Sequence, residues 1–169
     1  MSFRITWKVH LKCVLMSLIF ITFYYNSTNR ILENFLENSF IFYPTKYLIL
    51  NFYLYVILLM VPITIVHEVT HSYIYTIFSG KVKYGFKGIY DYAKEISEKS
   101  IDRVEFLIVL LSPMVIISVL SLLLPIQIGG MVFILNALGS CGDLYMAIAL
   151  SKFDSHCRII DRCYGFDVI

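Results

Sequence analysis

The stretch "VPITIVHEVTHSYIYTIFSG", residues 61–80, carries three ionisable side chains within an otherwise apolar run. They are His67, Glu68 and His71, in the pattern His-Glu-x-x-His. Histidines four residues apart lie on one face of a helix, one turn above the other, which is the spacing that lets both bind one metal ion. Glu68, beside the first histidine, is then placed to polarise a water molecule that such a metal activates.

The composition indicates where this helix lies. Hydrophobic residues make up 59% of the 169 residues, and the mean hydropathy is +0.75, whereas soluble domains are roughly 45–50% apolar. The chain is therefore predicted to be a membrane protein, and its length suits one bundle of a few spanning helices of about 20 residues each. Inserting a carboxylate into the hydrocarbon costs about 2.5–3.5 kcal/mol of free energy, so Glu68 is expected there only with an interaction partner or a functional role.

Apolar runs predict an all-α membrane protein, a single domain with about four transmembrane helices. The predicted spans are residues 12–25, 47–78, 104–128 and 131–150. The first run follows Arg4, Lys8 and Lys12, as in a secretory signal peptide, but no small-residue cleavage pattern follows it, which favours a retained anchor. The third and fourth spans are separated by Gly129 and Gly130 alone.

Basic residues predict the orientation. They precede the first span and fill both the loop 79–103 and the tail 151–169, whereas the first connection has two and the third has none. If the spans alternate, all basic clusters fall on one side, so both ends of the chain and the loop are predicted to be cytosolic.

The loop after the His-Glu-x-x-His helix has a pattern of its own. In "KVKYGFKGIY", residues 81–90, polar or small and apolar residues alternate, which predicts a short β-hairpin, with a basic loop on anionic headgroups as the alternative. An exposed strand edge could pair with an extended substrate peptide. The following "DYAKEISEKSIDRVEF", residues 91–106, is interpreted as a charged interfacial helix.

A third metal ligand is predicted in the last span, where Asp143 lies well away from the ends. Asp143 stands nine residues before Lys152, and His71 stands ten before Lys81. Each lies about 14–15 Å of helix from its basic residue at ~1.5 Å per residue, so both are predicted to reach one depth. Hydrolytic zinc sites take three protein ligands and keep one position for water.

Two further polar or helix-bending residues are candidates near this site. Pro113, in the third span, frees a backbone carbonyl and would open room beside a metal, although it could equally be an ordinary kink. Asn136, two turns before Asp143 on the same face, could bind a substrate carbonyl or the developing oxyanion, or could instead form a helix-to-helix hydrogen bond. Small residues around Asp143 would allow close helix packing: Gly139, Ser140 and Gly142.

Other interpretations of the polar groups are open. The histidines and Glu68 could form a hydrogen-bonded knot between helices, which would need no particular spacing. A downstream glutamate could replace Asp143 as the third ligand, but the candidates stand in the loop or at the very start of the third span: Glu95, Glu98 and Glu105. Two imidazoles with one carboxylate favour Zn²⁺, and Fe²⁺ or Co²⁺ can occupy the same ligand set.

The order of motifs over roughly residues 47–166 resembles a known family. "HEVTHSYIYTIFSGKVKYGF", "LLSPMV", "NALGSCGD" and "DRCYGF" follow one another, as in the "putative zincin peptidase" family of small multi-pass membrane proteins, related to the site-two protease clan of intramembrane metalloproteases. The resemblance implies zinc bound by His67, His71 and Asp143, with Glu68 as general base. Two departures from the clan are Asp143-Leu144 in place of Asp-Gly and the lack of a proline between Asn136 and Asp143.

The predicted function is a zinc-dependent intramembrane endopeptidase that hydrolyses a peptide bond of a membrane-associated substrate by metal-activated water. The alternative is a non-hydrolytic membrane protein, an inactive relative or binding partner, that keeps the site for structure. The expected partners are a membrane protein or peptide and the lipid bilayer, and no nucleic acid, because the loop lysines interleave with acids. The sequence assigns no substrate, no oligomeric state and no role to three tail residues: Cys157, Asp161 and Cys163.

Overall fold

The computed structural model describes residues 2–37, 44–78, 82–87, 90–95, 100–162 and 164–169. Most of these residues are helical. The helices are α1 Trp7–Phe23, α2 Tyr25–Glu37, α3 Leu48–Ile77, α4 Arg103–Ser121, α5 Ile126–Gly139 and α6 Cys141–Leu150. The strands are β1 Ser2–Arg4, β2 Val82–Lys87, β3 Tyr90–Glu95, β4 Ile101–Asp102, β5 Arg158–Arg162 and β6 Gly165–Val168.

Helices long and apolar enough to cross a membrane are present in the described part of the chain. α3 and α4 each meet that requirement alone. α1 with α2 and α5 with α6 meet it only as pairs, which are bent by 83° and 44° at their breaks. The predicted apolar helical fold is thus confirmed, with two helices of spanning length, or up to four spans if each bent pair is one.

The connection between the third and fourth predicted spans differs from the expectation. α4 ends at Ser121, not at residue 128, and α5 begins at Ile126 directly after Pro125. Proline disfavours a helical conformation in the preceding residue, so the chain turns before it. Gly129 lies inside α5 and serves close packing, because a Cβ there would stand 2.3 Å from the carbonyl oxygen of Ser121.

The fourth predicted span is broken. α5 ends at Gly139, Ser140 has φ −78° and ψ 2°, and α6 begins at Cys141. Asp143 consequently lies in the first turn of a new helix, where the helix dipole favours a negative charge.

An antiparallel hairpin follows α3, as the alternation predicted. β2 pairs with β3 from Val82↔Glu95 to Lys87↔Tyr90. The interfacial helix predicted over 91–106 was wrong in its first part: residues 91–95 belong to β3 and pair with β2, and the helix begins at Arg103. Asp102 and Glu105 form a capping box at that point, which fixes where the helix starts. Residues 96–99 lie outside the described part.

A four-stranded sheet, which the sequence did not predict, forms at one end of the helices. Its strand order is β1-β6-β5-β4, with antiparallel pairs throughout. It brings the start of the chain, the tail and the start of α4 together. Phe166, Ile159 and Ile101 on its inner face are buried against the helix residues Phe106 and Leu150. Apolar packing therefore fixes the tail to the helices.

Candidate metal centre

Two buried hydroxyl side chains of α3 form hydrogen bonds within their own helix. Thr70 donates a hydrogen bond of 2.7 Å to the carbonyl of Val66, and Ser72 donates one of 2.9 Å to the carbonyl of Glu68. Such bonds one turn back satisfy buried hydroxyls without a partner helix. The rings of His67 and His71 instead project towards α6.

Three side-chain atoms from α3 and α6 converge on one point. His67 Nε2 lies 3.0 Å from Asp143 Oδ2, and His71 Nε2 lies 3.5 Å from the same oxygen. The two Nε2 atoms are 3.1 Å apart. All three side chains are largely buried, with 14–17% of each exposed. Within the described residues this is the group of His, Cys, Asp and Glu side chains that could hold a metal ion.

The protonation of His71 follows from its other ring nitrogen. Nδ1 lies 2.9 Å from the carbonyl oxygen of Val109 in α4. Because a carbonyl only accepts, Nδ1 must carry the proton, and in the neutral ring Nε2 then presents a lone pair. A backbone carbonyl on the far nitrogen is also the usual support of a metal-binding histidine.

The geometry fits a zinc ion. Ligand atoms that are about 2.0–2.1 Å from one tetrahedral ion lie about 3.3–3.4 Å from each other. The three observed separations, 3.0, 3.1 and 3.5 Å, bracket that value. When His71 is neutral, the lone pair of its Nε2 faces the carboxylate of Asp143 across 3.5 Å. A cation bound between these two electron-pair donors would stabilise this arrangement of the side chains.

A cavity of about 420 Å³ opens onto these residues. Glu68 lies on its wall together with the three converging side chains. Tyr75 of α3 and Phe106 of α4 form further parts of the wall, and Ile5, Asp161 and Arg162 line it from the tail sheet and the residue after β1. No sequence pattern places Ile5 or the two tail residues beside the His-Glu-x-x-His helix, because that placement depends on the sheet.

Asn136 lies elsewhere. It is 1% exposed, it is not on the cavity wall, and its Nδ2 donates to the carbonyl of Met114 at 3.1 Å and to Ser118 Oγ at 3.3 Å. Of its two predicted roles, this placement corresponds to the helix-to-helix hydrogen bond and does not support an oxyanion contact.

The alternative glutamate ligands are likewise not brought to the histidines. Glu105 Oε2 accepts a hydrogen bond of 3.0 Å from the backbone N–H of Asp102 at the start of α4. Glu98 lies outside the described residues, and of Glu95 only the backbone is described, in β3.

The long helices of this protein are apolar, and two histidines of one helix face an aspartate of another. These features place the protein in the class of candidate metallopeptidases with helices long enough to span a membrane. The family model described as "Putative zincin peptidase" matches residues 57–158. That match covers more than half of the chain, so the protein belongs to this family. Comparison with the curated proteins and with the solved structures gives no match.

The matched region contains the parts that form the site. It begins within α3, ahead of His67, and it includes Asp143 and the cavity-lining part of α4. Membership in a zincin family implies zinc as the metal and peptide hydrolysis as the class of reaction. Cavity residues outside the match are Ile5, Asp161 and Arg162.

Proposed function

We propose that the protein is a zinc-dependent endopeptidase that hydrolyses a peptide bond of a membrane-associated substrate. The observation that carries the proposal is the convergence of three ligand atoms, from His67, His71 and Asp143, within 3.5 Å of one another, with Glu68 on the wall of the same cavity. The family match supports the same class of reaction.

The metal would be held by Nε2 of each histidine and by the carboxylate of Asp143. Zinc, when bound, supplies a Lewis acid that activates water and polarises a carbonyl. The protein contributes the orientation of its ligands: the hydrogen bond from His71 Nδ1 to Val109 fixes one ring, and α6 presents Asp143 from its first turn.

Glu68 is the proposed general base and acid. It neighbours His67 in the sequence and shares the cavity. Its carboxylate accepts a proton from the attacking water and then delivers that proton to the nitrogen of the leaving amine. Proton transfer by a positioned side chain contributes about 10²–10⁴-fold to a rate.

A bilayer is the proposed environment of the helices. Large apolar side chains of α3 are exposed along the helix, including Ile49, Ile57 and Leu58 at 61–72%. An exposed apolar surface of this extent is what lipid would cover. The four-stranded sheet holds both ends of the chain and the start of α4 together. This supports their placement on one side of the membrane. The basic residues predict that this side is the cytosol.

The access of water follows from that orientation. The cavity is lined both by the metal centre and by Ile5, Asp161 and Arg162, which come from the sheet end of the molecule. Water would therefore reach the site from the cytosolic side. An extended substrate peptide would pair with an outer edge of the β2–β3 hairpin, which within the described residues is a sheet of two strands.

The alternative is a non-hydrolytic relative that keeps the site for structure. Such a site would need its three ligands but would not need a carboxylate base on the cavity wall. The position of Glu68 in the cavity therefore favours the enzyme.

The test of the metal centre is the zinc content per chain of the purified protein in detergent, after exposure to zinc and gel filtration. We expect about one zinc per chain in the wild type and much less in His67→Ala. The matched control is His10→Ala, because His10 is an exposed histidine of α1. A wild type without zinc, or a His67→Ala variant with full zinc, would overturn the proposed metal centre.

A further inference from the structure

A proline in α4 leaves one backbone carbonyl without its usual partner. In an α-helix the N–H of residue 113 would donate to the carbonyl of residue 109. Pro113 lies inside α4 and has no N–H. The carbonyl of Val109 therefore lacks its helical donor.

Two other donors occupy that carbonyl. His71 Nδ1 donates to it from α3 at 2.9 Å, and Ser112 Oγ donates to it from the next turn at 2.8 Å. A carbonyl oxygen has two lone pairs, so both acceptor positions are filled. Val109 and Pro113 are buried, so water does not readily replace either donor.

We infer that Pro113 is a positioning residue for the metal ligand His71. By withholding an N–H from the Val109 carbonyl, Pro113 keeps that acceptor available to His71 Nδ1. The proton is thereby held on Nδ1, and the lone pair of Nε2 faces Asp143, 3.5 Å away. The significance for zinc rests on the proposed function, whereas the effect on the ring is a property of the metal-free protein.

Replacing the proline restores the competing donor. In Pro113→Ala the new N–H would compete with the imidazole for the carbonyl of Val109, and His71 would lose the bond that selects its tautomer. Pro113→Val supplies the same N–H with a side chain closer in volume to proline. An effect shared by the two variants is therefore caused by the amide and not by a packing defect.

The first measurement is the ¹⁵N spectrum of histidine-labelled, metal-free protein, with the pH raised until the ¹⁵N shifts of His71 show a neutral ring, because only a neutral imidazole has one protonated and one unprotonated nitrogen. Four histidines are present, and His71 is assigned with a His71→Gln sample. We expect Nδ1 of His71 to be the protonated nitrogen in the wild type. In both Pro113 variants a substantial fraction of the His71 rings should instead carry the proton on Nε2.

The second measurement is zinc affinity, determined by competition with a chelator. Loss of a residue that supports a metal ligand costs about 10–100-fold in affinity. We expect a loss of about 10-fold in the Pro113 variants, with thermal stability equal to or above that of the wild type, because alanine favours the helix. A purely structural proline would instead lower stability.

Two controls isolate the effect. Pro62→Ala removes the other proline found inside a described helix, and Ser112→Ala removes the second donor to Val109 while leaving the carbonyl to His71. Both should keep the wild-type tautomer.

Retention of Nδ1–H on His71 in both Pro113 variants would overturn the inference. If the wild type binds no zinc but the two Pro113 variants show the expected tautomer shift relative to it, the proposed metal centre alone is overturned and the inference is supported.

Discussion

Asp143 Oδ2 lies 3.0 Å from His67 Nε2, although the two residues are 76 positions apart in the chain. They belong to different helices, and the break at Ser140 starts the helix that presents the aspartate. Two short-range features thus create the site: a His-Glu-x-x-His turn on α3 and the first turn of α6. Each can be altered without removing the other, which makes the roles of the residues separable.

Glu68→Gln is expected to keep the metal and lose the activity. Glutamine preserves the shape of the side chain but cannot accept the proton from water. The rate of peptide hydrolysis should fall by about 10²–10⁴-fold, while zinc content stays at the wild-type level. The measurements are a single-turnover cleavage assay and metal analysis on the same samples, with Glu33→Gln, at an exposed position of α2, as the control. Loss of zinc in Glu68→Gln would make Glu68 a ligand and not a base.

Asp143→Asn is expected to lose both the metal and the activity. The amide removes the negative charge that balances the cation, so zinc affinity should fall by more than about 100-fold, since residues that merely support a ligand account for about 10–100-fold. Asp154→Asn, in the turn after α6, is the control and should bind zinc normally. Normal zinc affinity in Asp143→Asn would exclude the aspartate as third ligand and reopen the choice among the glutamates.

Much of the site was predictable from the sequence because it depends on local geometry. The spacing of His67 and His71 follows from helical periodicity. Counting helical residues back from Lys152 predicted that Asp143 lies level with His71, and the two side chains do meet, because α6 is intact between Asp143 and Leu150. Pro113 predicted a freed backbone carbonyl in its helix, but not that His71 would donate to it.

The tail was not predictable in the same way. β5, Arg158–Arg162, has the sequence RIIDR, which does not alternate, and β6 has only four residues, the minimum over which a period-two pattern indicates a strand. Their partner β1 lies at the other end of the chain, so the pairing depends on tertiary contacts. The same limit applies to the cavity walls, because Ile5 and Asp161 line the cavity from the end of the molecule where this sheet forms.

Gly165→Ala is expected to disturb the sheet and, through it, the cavity. Gly165 has φ +136°, which L side chains rarely adopt, and a Cβ would stand 2.3 Å from the carbonyl oxygen of Phe3. The strained backbone costs about 1–3 kcal/mol, so β1 should separate from β6. We expect a lower midpoint of thermal unfolding and faster proteolysis near residues 2–5. Gly139→Ala, at a glycine where a Cβ would meet nothing within 4 Å, is the control. Equal proteolysis of the two variants would show that the pairing of β1 with β6 does not depend on Gly165.

Both ends of the chain are expected on the cytosolic side of the membrane. β1 pairs with β6 in the register Phe3↔Phe166, which requires the two ends to lie on one side, and the basic residues assign that side to the cytosol. Reporter fusions at the N-terminus and the C-terminus should therefore both report a cytosolic location. An insertion at Leu123, 80% exposed between α4 and α5, should report the opposite side. If the two ends report opposite sides, β1 and β6 cannot pair in the membrane-inserted protein. The proposal that water reaches the metal centre from the cytosol would then be wrong.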